Sequence, residues 1–361
     1  MIDEYFMKMA LKLAQRGRGY VSPNPLVGAV LVKEGKIIGQ GYHRRFGGPH
    51  AEINAIRDAR QDVAGSTLYV TLEPCCHEGK TPPCVDSIIA HKIARVVIGP
   101  IDPNPVVACQ GVHRLRESGI EVKTGVLADE CRKINEVFFH YMETGTPFIT
   151  IKYAQTLDGR IATLSGRSQW ISCPASLKFS HRLRAQHDAI VVGCKTAIQD
   201  NPELTVRLVR GRNPVRVIVD SHLKIPLKAK VFQNTAEAPT ILATTCGKNH
   251  PRWARLSALG VEIIPVPADG QGHVDLKKLF KKLAQKGISS ILIEGGSKII
   301  TSALKQNLAQ RIVAIVAPKI IGKGIEAVGD LNIKTLESAK KISVEKVLRL
   351  GDDIIIDGRL S

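Results

Sequence analysis

The 361-residue sequence is long enough for two or three domains, and its 44% hydrophobic and 23% charged content excludes a disordered or collagen-like chain. Aromatic residues make up 4%, too few for base-stacking platforms, yet the formal charge of +18 invites a nucleic-acid or membrane-surface binder. The charge is lopsided: residues 1–145 hold 18 basic and 16 acidic side chains, the remainder 33 and 17.

Asp3 and Glu4 followed by Phe6, Met9, Ala10 and Leu13 read as an amphipathic helix stopping at Gly17 to Gly19, without the basic start of a secretory signal. No apolar run approaches the roughly 20 residues of a membrane span, so a cytoplasmic protein without a membrane partner is expected. Leu26 to Val32 and Ile37 to Tyr42, around Glu34-Gly35, read as a β-hairpin. Pro49 precedes a helix from about His50 to Arg60. Then come a strand at Thr67 to Thr71, a Pro/Cys/Gly-rich loop from Glu73 to Pro83, a helix at Cys84 to His91, and strands at Arg95 to Ile98 and Ile120 to Thr124. His140 to Pro147, HYMETGTP, reads as a linker.

The alternation restarts at Phe148 to Tyr153, with strands near Ala189 to Val192, Val215 to Val219, Thr240 to Ala243, Val261 to Val266, Ser290 to Ile293 and Ile312 to Val316. Helices are expected near Ala175 to Ala185, Leu276 to Gln285 and Lys298 to Leu304, and an antiparallel pair around Gly351-Asp352. Lys277, Lys278, Lys281, Lys282 and Lys286 suit the wet face of one helix. With no fixed-period repeat, the chain reads as two unlike α/β domains, residues 1–145 and 146–361.

Three of the eight cysteines fall within ten residues, a pattern better suited to metal or catalytic chemistry than to a disulfide framework. His50, Cys75 and Cys84 offer one imidazole and two thiolates, which leaves a fourth tetrahedral zinc position open to water. Zinc lowers the pKa of such a water towards neutrality. Glu52, two residues beyond His50, is placed to shuttle a proton to a departing amine without occupying the metal. Cys84 follows Pro82-Pro83 at a helix start, where the macrodipole favours a thiolate. Cys76 reads as a small core residue or a neighbour of the metal, and His77 is a second candidate imidazole.

The H-x-E and P-C pattern resembles the zinc-dependent cytidine and nucleotide deaminases, but the second cysteine stands nine residues after the first instead of three. Glu73-Pro74-Cys75-Cys76-His77-Glu78-Gly79-Lys80-Thr81-Pro82-Pro83-Cys84, with Pro23-Asn24-Pro25-Leu26-Val27-Gly28-Ala29-Val30 upstream, is similar to the pyrimidine deaminase of riboflavin biosynthesis. That resemblance assigns the imidazole ligand to His50 and places Asn24 on the ribose or pyrimidine of the substrate. As an ordinary Asn between prolines, Asn24 equally shapes a turn. His43, at a strand end, is a weaker candidate.

In the second half, Glu294-Gly295-Gly296-Ser297 at a strand-to-helix turn either exposes backbone N–H groups to an anion or holds two structural glycines. Together with Ser168-Gln169-Trp170, His181 to Ala185, Thr196, Asp200-Asn201-Pro202, Leu204 to Arg207 and Asp220-Ser221, it resembles the reductase half of the same bifunctional riboflavin family. The resemblance covers nearly the whole chain. It implies a cytidine-deaminase-like three-layer α/β domain followed by a dihydrofolate-reductase-like α/β domain. It further implies a zinc ion, NADPH touching Ala154, Trp170, Thr196, Asp200, Ser221, Gly296, Ser297 and Lys298, and a phosphoribosyl substrate facing Ser168, Arg184, Leu204, Arg207 and Glu294.

A guanidinium at Arg184 or Arg207 suits a phosphate, although either alone also reads as a surface residue. Trp170 equally reads as core filling. Lys152 is a candidate for polarising or protonating the sugar oxygen. The implied reactions are deamination of a phosphoribosylaminopyrimidine and reduction of its ribosyl group, by a homo-oligomer with no nucleic-acid partner. Two rivals remain: a nucleic-acid deaminase using the basic second half, and a non-catalytic zinc-stabilised binding protein. Cysteine spacing, the near-neutral first half and the few aromatics oppose the first; Glu52 beside an open metal position opposes the second.

Overall fold

A computed structural model describes residues 2–78, 82–104 and 108–360. Gly79, Lys80 and Thr81 of the cysteine loop lie outside the described residues. The chain divides into two compact units, Met1–Gly145 and Thr146–Ser361.

The first unit contains Ile2–Ala14 (α1), Gly28–Lys33 (β1), Lys36–Tyr42 (β2), Ala51–Asp58 (α2), Thr67–Val70 (β3) and Cys84–Ala90 (α3). Arg95–Ile98 (β4), Gln110–Glu117 (α4), Glu121–Lys123 (β5), Ala128–Ile134 (α5) and Glu136–Thr144 (α6) follow. The sheet runs β2-β1-β3-β4-β5, with β1 antiparallel to both neighbours and β3, β4 and β5 parallel. Strand alternation sends Ala29, Leu31, Leu68 and Val70 to one face, against Ala51 and Ala55 of α2 and Val85 and Ile88 of α3. Val30, Val32, Tyr69 and Val97 face the other way, against Phe6, Met7 and Ala10 of α1 and Cys131 of α5. This is a three-layer α/β/α sandwich.

Glycine in β2 fixes how closely α2 approaches. A Cβ at Gly41 would stand 2.3 Å from the Ala51 carbonyl oxygen, and one at Gly39 2.3 Å from that of Ala55. Neither position admits a side chain without moving α2, whose first turn carries Glu52.

Two expectations need correction. The segment His140 to Pro147 is not a linker throughout: it is helical to Thr144, and Gly145, at φ +64°, is the left-handed residue that ends α6. Helices α4, α5 and α6 were not expected either, because none is capped by the side chain of its own N-cap residue, and α4 and α5 follow left-handed Cys109 and Leu127. The Ser/Thr/Asp/Asn start signal is missing from the first two and unused by Asn135 in the third.

The second unit contains Phe148–Thr156 (β6), Arg160–Thr163 (β7), Pro174–Gln186 (α7), Ala189–Gly193 (β8), Cys194–Gln199 (α8), Val215–Val219 (β9), Thr240–Thr244 (β10) and Trp253–Ser257 (α9). Glu262–Pro265 (β11), Leu276–Ala284 (α10), Ser290–Gly295 (β12), Ser297–Lys305 (α11), Arg311–Ala317 (β13), Gly324–Glu326 (β14), Ile342–Leu350 (β15) and Asp353–Leu360 (β16) complete it. Nine strands run β11-β10-β9-β8-β12-β6-β13-β16-β15, parallel from β11 through β13 and antiparallel over the last two pairs. β14 and β7 pair separately.

Ile149, Ile151, Val191, Val217 and Ile293 pack on one face with α10 and α11, while Ile190, Val192, Ile218 and Leu242 pack on the other with Ala197 of α8 and Leu256 of α9. A sheet buried on both faces explains the near-continuous apolar runs in the sequence. On α10, Leu276, Leu279, Phe280 and Leu283 are buried, Lys278 pairs with Asp275, and Lys282 donates to the Pro265 carbonyl. Lys286, just beyond, pairs with Glu262, so the lysines form the wet face expected of them.

Candidate active sites

The first site forms where α2, α3 and the end of β3 meet. His50 is the N-cap of α2, in extended conformation, and the next turn of helix puts Glu52 on the buried side. Cys84 opens α3, whose first backbone N–H groups turn to Cys75: Cys84 N donates to the Cys75 Sγ at 3.4 Å and Val85 N to its carbonyl at 3.2 Å. The orphan donors of a helix start thereby tie the two thiols together.

His50 Nδ1 lies 3.4 Å from Cys75 Sγ and 3.3 Å from Cys84 Sγ, and the ligand atoms of all three fall within 4.8 Å of one another. Zinc bonds of about 2.0 Å to nitrogen and about 2.3 Å to sulfur, at the tetrahedral angle, would put N and S about 3.5 Å apart. The donor set therefore fits zinc. The Cys75 thiol is brought down to about 4, first by a hydrogen bond from Cys84, despite burial. The same contact pushes Cys84 up, so one thiolate is supplied readily and the other requires loss of the shared proton. His77 is exposed and outside this group, and Cys76 turns its thiol to Gln110 Oε1 at 3.7 Å.

Glu52 is 3% exposed, and its Oε2 is buried without a hydrogen-bond partner among the described residues. Burial raises its carboxyl to about 7. A cavity of about 230 Å³ opens beside it, lined by Asn24, His43, Asp102 and Asn104 on its polar wall and by Phe46 and Phe138 among its apolar residues. His43 Nδ1 faces the Pro49 carbonyl at 3.1 Å and therefore donates; burial disfavours its cationic form, so Nε2 accepts from Asn24 Nδ2 at 3.2 Å. This bond orients the Asn24 amide. Burial likewise raises Asp102 to about 6, although Asn104 N donates to it at 2.8 Å. Asp102, Asn104 and Phe138 were not singled out in the sequence, because they reach the cavity from segments with no motif of their own.

The second site lies at the carboxyl ends of parallel strands, where open α/β sheets bind ligands. Ala154 near the end of β6, Gly296 after β12, Thr196 after β8 and Ser221 after β9 belong to four adjacent strands, spanning about 14 Å at the usual strand spacing. Gly296 is the N-cap of α11, with Ser297 and Lys298 in the first turn; a Cβ on it would come within 2.7 Å of Thr196 Oγ1. Gly295 has φ +141° and open space where a Cβ would stand, a backbone cradle that suits a pyrophosphate. Ser168 Oγ donates to Asp200 Oδ1 at 3.2 Å, and the Ser221 hydroxyl accepts from Val274 N at 3.0 Å. Trp170 is 64% exposed and fills no core; Lys319 holds its carbonyl at 2.8 Å.

Arg184 and Glu294 spend their charge on each other, with Nε and Nη2 each 2.7 Å from a carboxylate oxygen, while Nη1 donates to the Thr205 carbonyl at 3.1 Å. Burial opposes ionisation of Glu294, but Arg184 and Lys152 hold its carboxyl down to about 2. Burial lowers the Lys152 ammonium in turn. Arg207 is exposed and donates to Glu203 at 3.1 Å and to Thr205 Oγ1 at 2.8 Å, while its backbone N–H donates to His181 Nδ1 at 2.9 Å. The Leu204 side chain is 2% exposed and packs in the core at φ +57°, so only its backbone is offered to a ligand.

Residues 1–100 match the cytidine and deoxycytidylate deaminase zinc-binding region, and residues 147–356 match the RibD C-terminal domain. The chain is 48% identical over 356 residues to the riboflavin biosynthesis protein RibD of Aquifex aeolicus (strain VF5), covering 98% of each. It resembles the crystal structure of a diaminohydroxyphosphoribosylaminopyrimidine deaminase/5-amino-6-(5-phosphoribosylamino)uracil reductase from Thermotoga maritima, with TM-score 0.88 and 40% identity over 100% of this chain and 99% of that one. Acinetobacter baumannii RibD superposes with TM-score 0.91 at 34% identity, with the same coverage.

Fold and sites thus define a bifunctional enzyme, a cytidine-deaminase-like unit followed by a reductase unit. The chain belongs to the RibD family of riboflavin biosynthesis, whose two domains imply a zinc ion and a nicotinamide cofactor. Among the described residues no helix is long and apolar enough to cross a membrane.

Proposed function

We propose that residues 1–145 hydrolyse the exocyclic amine at C2 of 2,5-diamino-6-(5-phosphoribosylamino)pyrimidin-4-one, giving 5-amino-6-(5-phosphoribosylamino)uracil and ammonia. Residues 146–361 then reduce the ribosyl group with NADPH, giving 5-amino-6-(5-phosphoribitylamino)uracil. The observation that carries the first assignment is the Glu52 carboxyl, buried with Oε2 unpartnered beside three zinc-type donors.

His50, Cys75 and Cys84 would hold the zinc, which when bound makes water a better nucleophile near neutral pH. Glu52 takes a proton from the attacking water at Oε2 and delivers it to the departing amine nitrogen. A carboxyl near 7 is suited to both transfers. Asn24, oriented by His43, Asp102 and Asn104 face the pyrimidine and its ribose, and Phe46 and Phe138 exclude water around the ring.

In the second unit, Gly296, Ser297 and Lys298 receive the pyrophosphate of NADPH, with Thr196, Asp200 and Ser221 along its length and Ala154 and Trp170 towards the nicotinamide. The cofactor supplies the hydride, and the protein aligns donor and acceptor. Lys152, whose ammonium is destabilised by burial, donates a proton to the sugar oxygen as the ring opens. Ser168, the Leu204 backbone and Arg207 face the phosphoribosyl group. Glu294 and Arg184 brace that wall, because their ion pair also holds the Thr205 carbonyl.

A split assay tests the division of labour. Glu52→Gln should cut ammonia release by about 10²- to 10⁴-fold, the usual worth of a general acid–base, while leaving NADPH oxidation with pre-deaminated substrate intact. Loss of both activities in folded, zinc-loaded protein would refute the assignment.

A further inference from the structure

Glu73 is a buried carboxyl that the chemistry above does not use. It is 4% exposed and accepts three backbone N–H groups: Oε2 from Asp102 at 3.2 Å and from Cys109 at 3.1 Å, and Oε1 from Val112 at 3.2 Å. Two of these donors belong to the start of α4, whose N-cap Cys109 is left-handed and provides no side-chain cap. The carboxylate therefore caps α4 from 36 residues away.

Contact at the same place is unusually close. Gly111, in the first turn of α4, lies so near that a Cβ there would stand 2.2 Å from the Pro74 carbonyl oxygen. Pro74 directly precedes the zinc-type donor Cys75, and Cys76 adds a bond from its thiol to Gln110. One carboxylate thus joins three things: the strand end that supplies Cys75, the first turn of α4, and Asp102. Asp102 in turn accepts from Asn104 N, and both line the cavity beside Glu52.

We propose that Glu73 is a positioning residue for deamination, setting the distance between the substrate-facing pair Asp102 and Asn104 and the reacting centre at Glu52 and Cys75. Glu73 borders the same cavity, but both of its carboxylate oxygens are taken up by backbone N–H groups, so it acts through the wall it holds. Two oxygens spread over three donors fix Asp102 against the β3 end, and a neutral amide, with one acceptor and an opposing N–H pair, cannot do the same. The proposal rests on the deaminase reading of this cavity. That reading fails separately, if unsubstituted protein releases no ammonia.

The test uses full-length protein carrying Glu73→Gln, Asn104→Ala or both, with kcat and KM read from ammonia release and zinc per chain read on the same samples. Glu73→Gln should retain zinc and raise KM on the order of tenfold, with a smaller change in kcat. Because Glu73 acts through the Asp102 and Asn104 wall, the double variant should show a KM close to that of Asn104→Ala alone. An unchanged KM, additive effects in the double variant, or a fall in kcat that follows loss of zinc would each overturn the proposal. Gly111→Ala gives a second route should Glu73→Gln fail to fold: it keeps the carboxylate, but the added Cβ, 2.2 Å from the Pro74 carbonyl oxygen and 3.3 Å from Glu73 Oε1, must displace α4 from both. It should reproduce the KM defect with zinc retained, and a normal KM there also counts against the proposal.

Discussion

Replacing Arg184 with Met removes one half of a buried ion pair whose side chains are 13% and 7% exposed. The Glu294 carboxyl stands at about 2, against a usual 4.5. That depression corresponds to about 3 kcal/mol favouring the ionised form, in line with the roughly 3–5 kcal/mol lost when one partner of a buried pair is removed. Lys152 remains but cannot replace two short hydrogen bonds, and the Thr205 carbonyl loses its donor as well.

We expect Arg184→Met to destabilise the second unit by about 3 kcal/mol at neutral pH. The sign with pH follows from the direction of the shift. A carboxyl depressed in the folded state contributes fully above its unfolded pKa, and that contribution drains away as pH falls towards its folded value of about 2. Unsubstituted protein should therefore lose this stabilisation below about pH 4.5, and Arg184→Met should show a flatter acid dependence over that window. Guanidinium unfolding followed by tryptophan emission reads this unit specifically, since both tryptophans, Trp170 and Trp253, lie in it. Adding Glu294→Gln to Arg184→Met should restore part of the loss, because the unpaired carboxylate is removed and the buried Lys152, left without its counter-charge, can shed its proton. A single variant within about 0.5 kcal/mol of the unsubstituted protein, or a double variant less stable than the single, would refute the reasoning.

Gly41→Val should drive α2 away from β2 and move His50 and Glu52; metal analysis should show less than one zinc per chain, with the tryptophan-monitored unfolding of the second unit unaltered. Asp3 accepts from Tyr69, Arg95 and Lys123, which hold its carboxyl well below the usual range. Asp3→Asn should cost the first unit about 2 kcal/mol. As this too is a depressed carboxyl, the difference from unsubstituted protein should shrink as pH falls below about 4, measured by circular dichroism during denaturant unfolding.

The zinc-type donors were legible because each stands at a local landmark: His50 just after Pro49 at a helix start, Cys75 after a strand and a proline, Cys84 after two prolines at the next helix start. The opposite wall of the cavity was not. Phe138 comes from α6, whose last turn reads as a linker, because Gly145 is both a break in the sequence pattern and the helix's own terminator. α4 escaped notice because its cap is Glu73, a residue beyond the reach of any local pattern.

What the sequence determined by itself was the set of chemical groups and the order of two α/β units, since ligand spacing, turn glycines and strand periodicity are local properties of the chain. It also located the excess charge in the second unit, part of which is the solvated face of α10. Tertiary structure alone decided which polar groups are free to act. Arg184 and Glu294, each fit for a phosphate or a sugar when read singly, neutralise each other once β12 and α7 are packed together. Glu52, in contrast, is buried with one oxygen unpartnered. The physical reason is the same in both cases: a polar side chain's role depends on whether burial leaves it a partner, and that partner comes from distant sequence.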